Sequence, residues 1–573
     1  MVAANREVAQ NNSVMEGNVM AKSRKKRTCF IFVVGGVMSG VGKGIASSSI
    51  GRILESRGFS VTALKIDPYI NVDAGTMNPT EHGEVFVLED GYETDQDMGN
   101  YERFLGKSLS RENYMTTGSV YQSVIDRERN LKYNGKCVEV VPHIPLEVID
   151  RIKHAAVKDD ADIAIVEIGG TIGEYQNILF LEAARMMKIN HPQDVLFALV
   201  SYLPVPNKIG EMKTKPTQYA ARTLNSAGIQ PDIIIARSDH SLDEKRKEKI
   251  AVFCNVRKED VVSAPDVESI YDVPVNFEKD NLSTLLLRKL GLRAKKKDMK
   301  RWNGLVSRIH ALEETVRIGI VGKYFKTGDF VLSDVYISVI EAIKHAAYSI
   351  RKKPIIEWLE SDAYESDPAS LKELSAYDGI LIPGGFGSRG IEGKISAIRY
   401  CRERKMPYFG LCYGMQLAVI EYARHVVGLK GAHSVEVDPR TAHPVIDIMP
   451  EQKERLRKKE YGATMRLGAY PCTLKKDTIA SDAYNKRDIA ERHRHRYEVN
   501  PEYIERLEKS GLVFSGTSPD GTLMEIAELP RERHPFFLGT QFHPEFQSAP
   551  LDPHPLFVEF LKACAVRSAE QQK

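Results

Sequence analysis

Phe30-Ile31-Phe32-Val33-Val34-Gly35-Gly36-Val37-Met38-Ser39-Gly40-Val41-Gly42-Lys43-Gly44 is the stretch that decides the fold. Five consecutive apolar residues predict a strand buried on both faces, and the glycines predict a tight turn into a helix running through Leu54. Glycines let backbone N–H groups curl toward an anion, and a helix N-terminus adds the positive end of its dipole. Lys43 then supplies a mobile charge for outer phosphates. The loop departs twice from G-x-x-x-x-G-K-[ST]: Val37 breaks the spacing, and Gly44 replaces the hydroxyl that usually meets a metal.

Outward from this turn, Val61–Ile66, Ile163–Val166, Val195–Val200 and Ile233–Ile235 are further Val/Ile/Leu-rich runs separated by helical stretches. They predict a parallel sheet covered on both faces. Arg288–Arg301, with Lys295-Lys296-Lys297, breaks the pattern. A second alternating series begins at Ile318-Gly319-Ile320-Val321, and near the end Ser518-Pro519-Asp520-Gly521 marks a turn between two strands. The expectation is an α/β protein of two domains. A Rossmann-like P-loop domain occupies 28–293 and a second α/β domain 316–565. A linker spans 294–315, a disordered basic tail 1–27, and a short C-terminal tail 566–573.

The 573 residues are 42% hydrophobic and 27% charged, which excludes collagen-like, disulfide-scaffold and wholly disordered chains. Lysine plus arginine (80) nearly balances aspartate plus glutamate (77), so no nucleic-acid-binding field is expected. No apolar run reaches the roughly 18 residues of a membrane helix. Seven scattered cysteines without a CxxC pair predict reduced thiols and a cytoplasmic location. Solvated charge explains Lys22–Arg27 more simply than a localising signal.

Gly410-Leu411-Cys412-Tyr413-Gly414 has the G-x-nucleophile-x-G form of a strained elbow between a strand and a helix, and a helix N-terminus favours the thiolate. Gln541-Phe542-His543-Pro544-Glu545 offers a base and an orienting carboxylate. Cys412, His543 and Glu545 thus supply nucleophile, base and orienter. The loop Gly384-Gly385-Phe386-Gly387, after another strand, offers backbone N–H groups for an oxyanion hole. In the first domain, Mg²⁺ between phosphates needs acidic partners. Glu167, at a strand end, and Asp97, in the polar Asp95-Gln96-Asp97, are the candidates, with Lys65, Lys213 and Lys215 as further cations.

The second domain resembles class I glutamine amidotransferases through Pro-Gly-Gly-Phe-Gly (383–387), Gly-Leu-Cys-Tyr-Gly (410–414) and Phe-His-Pro-Glu (542–545). The first resembles the CTP synthase family through its glycine loop, Lys-Ile-Asp-Pro-Tyr-Ile-Asn-Val-Asp (65–73), His-Gly-Glu-Val-Phe-Val (82–87), Val-Glu-Ile-Gly-Gly-Thr (166–171) and Lys-Thr-Lys-Pro-Thr-Gln (213–218). With Arg-His-Arg-Tyr-Glu-Val-Asn (494–500), the resemblance covers about Thr28 to Ala565. It implies a dethiobiotin-synthetase-like first domain and a flavodoxin-like second one. ATP would phosphorylate the 4-oxygen of UTP, and ammonia from glutamine would displace the phosphate to give CTP.

Carried over position by position, the resemblance places ATP at Ser39, Gly40, Val41, Gly42, Lys43, Gly44, Asp97 and Asp266, with Mg²⁺ on Asp97 and Glu167. UTP, or CTP as feedback inhibitor, falls to Ser39, Glu174, Lys213, Thr214, Lys215, Pro216, Thr217, Gln218 and Lys249. Glutamine falls to Gly385, Tyr413, Gly414, Met415, Gln416, Glu436 and Arg496, and the oxyanion hole to Gly384 and Tyr413. Activation by GTP and assembly into homotetramers and filaments are implied in the same way. One departure stands out: Gly-Gly-Thr-Ile-Gly-Glu-Tyr-Gln (169–176) replaces the family's Gly-Gly-Thr-Val-Gly-Asp-Ile-Glu. Gln176 thereby removes a charge near the expected pyrimidine-nucleotide pocket, which predicts altered CTP feedback with the basic reaction intact.

Overall fold

The computed structural model describes residues 27–206, 210–322, 326–327, 330–331, 333–385, 389–448 and 465–571. Of the tail expected at 1–27, all but Arg27 lies outside the described residues, as do Phe386 and Gly387 of the expected oxyanion loop.

The first domain is a seven-stranded sheet with every pair parallel. Its elements are β1 (Cys29–Gly36), α1 (Lys43–Ser56), β2 (Val61–Asp67), α2 (Asp97–Leu105), β3 (Tyr114–Thr116), β4 (Ile163–Ile168), β5 (Val195–Tyr202), β6 (Ile233–Ser238) and β7 (Val261–Pro265). The strand order is β3-β2-β4-β1-β5-β6-β7. Alternate residues of β1 enter separate cores: Phe30, Phe32 and Val34 on one face, Cys29, Ile31 and Val33 on the other. That two-sided burial is why the run lacks alternation. The five expected strands form as read. The two edge strands, β3 and β7, are short and carry Thr, Ser or Pro, so no apolar run announced them.

The expected linker is not extended chain. Within it α3 (Lys300–His310) buries Trp302 at 1% exposure, its indole N–H donating to the Tyr271 carbonyl at 2.9 Å. Trp302, Leu305, Val306 and Ile309 make an apolar stripe at helical spacing against Phe104 and Tyr271. The flanking lysines and arginines masked that stripe in the sequence.

The second domain holds a nine-stranded mixed sheet. Its elements are β8 (Thr315–Gly322), β9 (Lys353–Glu360), β10 (Gly379–Ile382), β11 (Tyr408–Leu411), α4 (Tyr413–His425), β12 (Arg466–Leu474), β13 (Asp488–His495), β14 (Val513–Thr517), β15 (Met524–Glu528), β16 (Phe537–Thr540) and α5 (Pro555–Gln571). The order is β9-β8-β10-β11-β16-β15-β14-β12-β13. β9, β8, β10, β11 and β16 run parallel, and the rest pair antiparallel, with the 518–521 turn joining β14 to β15. The C-terminal tail expected from 566 continues α5 to Gln571, because Phe557, Phe560, Leu561 and Cys564 anchor that helix in the core.

The domains meet along a polar seam. Arg492 Nη1 lies 2.8 Å from Glu102 Oε2, and Arg494 Nε 2.8 Å from Glu93 Oε1. Phe86 meets Phe546 edge-on at 5.0 Å between ring centres. The Ser338 N–H and hydroxyl both donate to Glu84, whose carboxyl burial nevertheless pushes up to about 7.

Candidate active sites

Cys412 sits between β11 and α4 with φ 49° and ψ −97°, a conformation that an L-residue adopts only under strain. Glycine on either side permits it: a Cβ at Gly414 would stand 2.3 Å from the Ile382 carbonyl, and one at Gly410 2.5 Å from the Tyr408 hydroxyl. The Cys412 N–H is tied to the Thr540 carbonyl at 2.6 Å, so the elbow is pinned to the neighbouring strand. Around the sulfur, Gln541 Nε2 lies at 3.7 Å and the Arg494 carbonyl at 3.9 Å.

His543 completes the constellation. Its Nδ1 lies 2.7 Å from Glu545 Oε1, which fixes the ring and leaves Nε2, without a hydrogen bond of standard geometry, for the thiol side. Burial alone would lower the imidazole's pKa. The Glu545 and Cys412 charges outweigh it and raise the value from 6.5 to about 10. The ring packs onto Gly384, where a Cβ would come within 2.7 Å of Cε1. Base, nucleophile and the first glycine of the expected oxyanion loop are therefore in contact, and Tyr413 follows as the first residue of α4.

The expected glutamine residues separate into those at the pocket and those behind it. Gln416 Nε2 donates to the Tyr497 carbonyl at 2.9 Å and to Gln541 Oε1 at 3.2 Å. Glu436 raises the Tyr413 phenol after burial does, and Arg496 acts on Tyr497, so both charges face this corner. At Gly385 an added Cβ would stand 3.9 Å from the Tyr336 hydroxyl, the one near neighbour among the described residues. Met415 is fully buried, its side chain packed against Gly539 of β16. Gln541 was not expected, although it immediately precedes the Phe-His-Pro-Glu motif.

In the first domain the loop after β1 holds Val37, Gly40 and Gly42 at positive φ, curling the chain ahead of α1. Ser39 and Gly40 are exposed and Val41 is buried. Lys43 Nζ donates to the Gly170 carbonyl at 2.8 Å, and burial lowers its pKa. A Cβ at Gly44 would lie 2.0 Å from Asp97 Oδ1, so the Asp97 carboxylate fills the space a hydroxyl-bearing side chain would need.

Register brings Lys65 beside Glu167, and Lys65 Nζ sits 2.8 Å from Glu167 Oε1 while also paired to Asp97. Burial opposes both charges in that pair. The surrounding carboxylates nonetheless hold Lys65 well above its ordinary value, and Lys65 draws Asp97 below its own. Ser47 and Tyr101 hydroxyls donate to the other oxygen of Glu167. Asp95 is different, since burial pushes its carboxyl well up despite Lys65. Two converging carboxylates beside a phosphate loop fit a Mg²⁺ ion carried by phosphates. Neither Ser47 nor Tyr101 was read from the sequence, because neither lies in a motif.

A cavity of about 330 Å³ opens beside Gly42, Ala46, Ile235, Pro265 and Asp266. Arg237 spans its mouth, donating to the Val41 carbonyl at 3.3 Å and pairing with Asp266 at 2.5 Å. Asp266 and Gly42 of the glycine loop thus line one cavity, and Arg237 is an addition the sequence did not flag.

The expected pyrimidine residues cluster less tightly. Lys213 pairs with Glu211 at 2.7 Å, and Lys249 acts on the same carboxylate. Lys215 and Pro216 open the helix Lys215–Ser226, with Lys215 Nζ 5.2 Å from the Phe253 ring centre. Thr217 is buried on Ser201, and Gln218 bonds the Thr214 hydroxyl at 3.1 Å. Glu174 accepts from the Thr171 N–H at 3.1 Å and from Gln176 Nε2 at 2.6 Å.

A phosphate loop on a parallel sheet and a Cys-His-Glu elbow on a second sheet, in one chain, define a glutamine-amidotransferase enzyme with an attached nucleotide domain. Residues 29–292 match the family described as CTP synthase N-terminus, and 331–563 the class-I glutamine amidotransferases. The CTP synthase of Thermococcus gammatolerans is 51% identical over 94% of this chain and 99% of its own length, and that of Pyrococcus furiosus 52% over 94% and 98%. The chain belongs to the CTP synthase family. Among solved structures, the glutaminase domain of Trypanosoma brucei CTPS with bound acivicin is 38% identical, covers 44% of this chain and 94% of that one, and superposes with a TM-score of 0.41.

Proposed function

We propose that this chain makes CTP from UTP, ATP and glutamine. The observation that carries the proposal is the Cys412–His543–Glu545 constellation tied, within one polypeptide, to a phosphate loop with Lys43, Asp97 and Glu167 beside it. In the glutaminase pocket the Cys412 thiolate attacks the side-chain amide carbon of glutamine, and the oxyanion forms beside Gly384 and Tyr413. The His543 imidazolium gives its proton to the leaving nitrogen, and ammonia departs. Water, deprotonated by His543, then cleaves the thioester to glutamate and restores the thiol. Glutamine's α-groups meet Arg496 and Glu436, opposite in charge to the carboxylate and the ammonium.

In the synthetase pocket the 4-oxygen of UTP takes the γ-phosphoryl group of ATP, releasing ADP. Phosphorylation makes that oxygen a leaving group, and ammonia adding at the ring carbon expels phosphate to give CTP. Lys43 neutralises charge on the phosphates. Asp97 and Glu167 would hold Mg²⁺, which when bound screens phosphate charge, and Lys65 holds the two carboxylates in place. Asp266 sits on the adenine side, and Glu174, Lys213, Gln218 and Lys249 serve the pyrimidine nucleotide. Activation by GTP, inhibition by CTP, a cytoplasmic homotetramer and filaments complete the proposal on the strength of family membership.

Purified protein given UTP, ATP and glutamine should form CTP. Cys412→Ala should abolish that reaction yet retain CTP formation from supplied ammonia, and Lys43→Ala should lose both. A folded Cys412→Ala protein lacking both activities refutes the two-pocket scheme.

A further inference from the structure

Beside the triad, β12, β13, β15 and the short strand Tyr497–Val499 bring five ionisable side chains together: Arg466, His493, His495, Glu498 and Glu525, each less than a tenth exposed. Arg466 Nη1 stands 2.7 Å from Glu525 Oε1 and 3.6 Å from Glu498 Oε1. His493 Nε2 lies 3.7 Å from Glu525 Oε2, and His495 Nδ1 3.4 Å from Glu498 Oε1. The two imidazoles are linked to each other at 2.8 Å, Nδ1 of His493 to Nε2 of His495.

One guanidinium therefore serves two carboxyl groups. Burial first, then the neighbouring Glu525 charge, holds Glu498 well above the usual carboxylate range, and burial also raises Glu525. Burial drives both histidines well below their ordinary value. The Arg466 guanidinium is thus set between two buried carboxyl groups, beside a linked pair of buried imidazoles. None of the four carboxyl oxygens has a hydrogen bond of standard geometry. Charge, not a filled set of hydrogen bonds, holds the cluster together, and an apolar core of equal volume would be about as stable.

What such a core would lose is a fixed path for the backbone that runs through the cluster. Along β13 the histidines point inward, while Arg492 and Arg494, in the alternate positions, pair with the other domain. The main chain between them meets the triad directly. The Arg492 carbonyl accepts from the His543 N–H at 2.8 Å, the Arg494 carbonyl faces Cys412 Sγ, and the Tyr497 carbonyl holds Gln416. The Glu525 carbonyl accepts from the Gln541 N–H at 2.8 Å, and the Gln541 side chain reaches the same sulfur.

We propose that Glu525 and Glu498, tied by Arg466, are positioning residues of the glutaminase reaction, fixing residues 492–497 and Gln541 so that Cys412, His543 and Gln416 meet glutamine in register. The proposal rests on the glutaminase role given above. Glutamine hydrolysis by the wild-type protein is therefore measured first, and its absence refutes that role and not the positioning.

Glu525→Gln keeps the side chain's shape and removes its charge. In the full-length enzyme the KM for glutamine should rise about tenfold, and labelling of Cys412 by a diazoketone analogue of glutamine should slow in step. CTP formation from ammonia should stay within about twofold of wild type, because only the glutamine pocket is disturbed. Glu498→Gln should move the same quantities in the same direction, and it decides the matter if Glu525→Gln does not fold. An unchanged KM and labelling rate in a folded variant overturns the proposal. So does an equal loss of glutamine- and ammonia-dependent activity with a lowered Tm, which is what a scaffold role alone would give.

Discussion

Gly44 stands where P-loops carry a metal-binding hydroxyl, and the structure supplies a reason that can be tested by restoring one. A Cβ at this position would lie 2.0 Å from Asp97 Oδ1 and 2.6 Å from Asp97 Cγ, where ordinary contact begins at 3.4 Å. Asp97 must then retreat by about 1.4 Å. It has little freedom to do so, because it opens α2, its N–H is bonded to Asp95 Oδ1 at 2.9 Å, and its carboxylate is paired with Lys65. Moving one carboxylate of a phosphoryl-transfer site by about 1 Å costs about 100-fold in rate. Gly44→Ser should therefore lower ammonia-dependent CTP formation about 100-fold, followed optically as UTP is converted, and Gly44→Ala should match it. Nucleotide-free glutamine hydrolysis should not change. If the hydroxyl were merely missing, serine would preserve or raise the rate and outperform alanine. A serine variant within about threefold of wild type would refute the steric argument.

Two further outcomes follow from the charges. His543 is raised from 6.5 to about 10, with Glu545 and Cys412 outweighing burial, so its ion pairing stabilises the fold fully below about pH 6.5 and is lost as pH rises through about 10. Glu545→Gln should lower stability by on the order of 2 kcal/mol at neutral pH, and the Tm gap to wild type should close near pH 10; a gap that widens with pH contradicts the pairing. Gln176→Glu places a carboxylate against Glu174, now held by the Gln176 amide at 2.6 Å. It should shift the half-inhibitory CTP concentration about threefold or more with the uninhibited rate intact, and superimposable inhibition curves would dismiss Gln176 as a determinant of feedback.

What the sequence disclosed, and what it withheld, follows from how far apart the interacting groups lie in the chain. Buried strands such as Phe30–Val34 and the elbow at Cys412 are local: the apolar run or the flanking glycines contain the physical cause, so both were readable without neighbours. His543 and Glu545 are two residues apart and share one motif. Lys65 is different, since its role comes from β2 lying in register with β4, and only the sheet brings it to Glu167 and Asp97. Arg237 reaches Val41 across 196 positions. α3 was hidden by a competing signal, the basic residues around Trp302, although its apolar spacing was present. Met415 came only through the family resemblance, and nothing local in the sequence shows that its side chain packs on Gly539 in the core.

The seam between the domains bears on why both reactions reside in one chain. Arg492 is 2% exposed and pairs with Glu102, itself buried, and each would be left as an uncompensated charge if the domains separated while remaining dry. Removing one partner of such a pair costs about 3–5 kcal/mol, whereas an apolar interface of the same size would tolerate sliding. A charged seam therefore selects one relative placement more than it adds adhesion. The placement matters because Arg494, which reaches Glu93, also presents its carbonyl to Cys412, and Glu93 belongs to the hairpin Val85–Val87/Glu93–Asp95 that ends two residues before Asp97. The sulfur that frees the nitrogen and the carboxylate assigned to phosphoryl transfer are thus referenced to the same ion pair. Ammonia is useful only while unprotonated, and a rigid mutual reference of donor and acceptor pockets is what two freely tumbling enzymes lack.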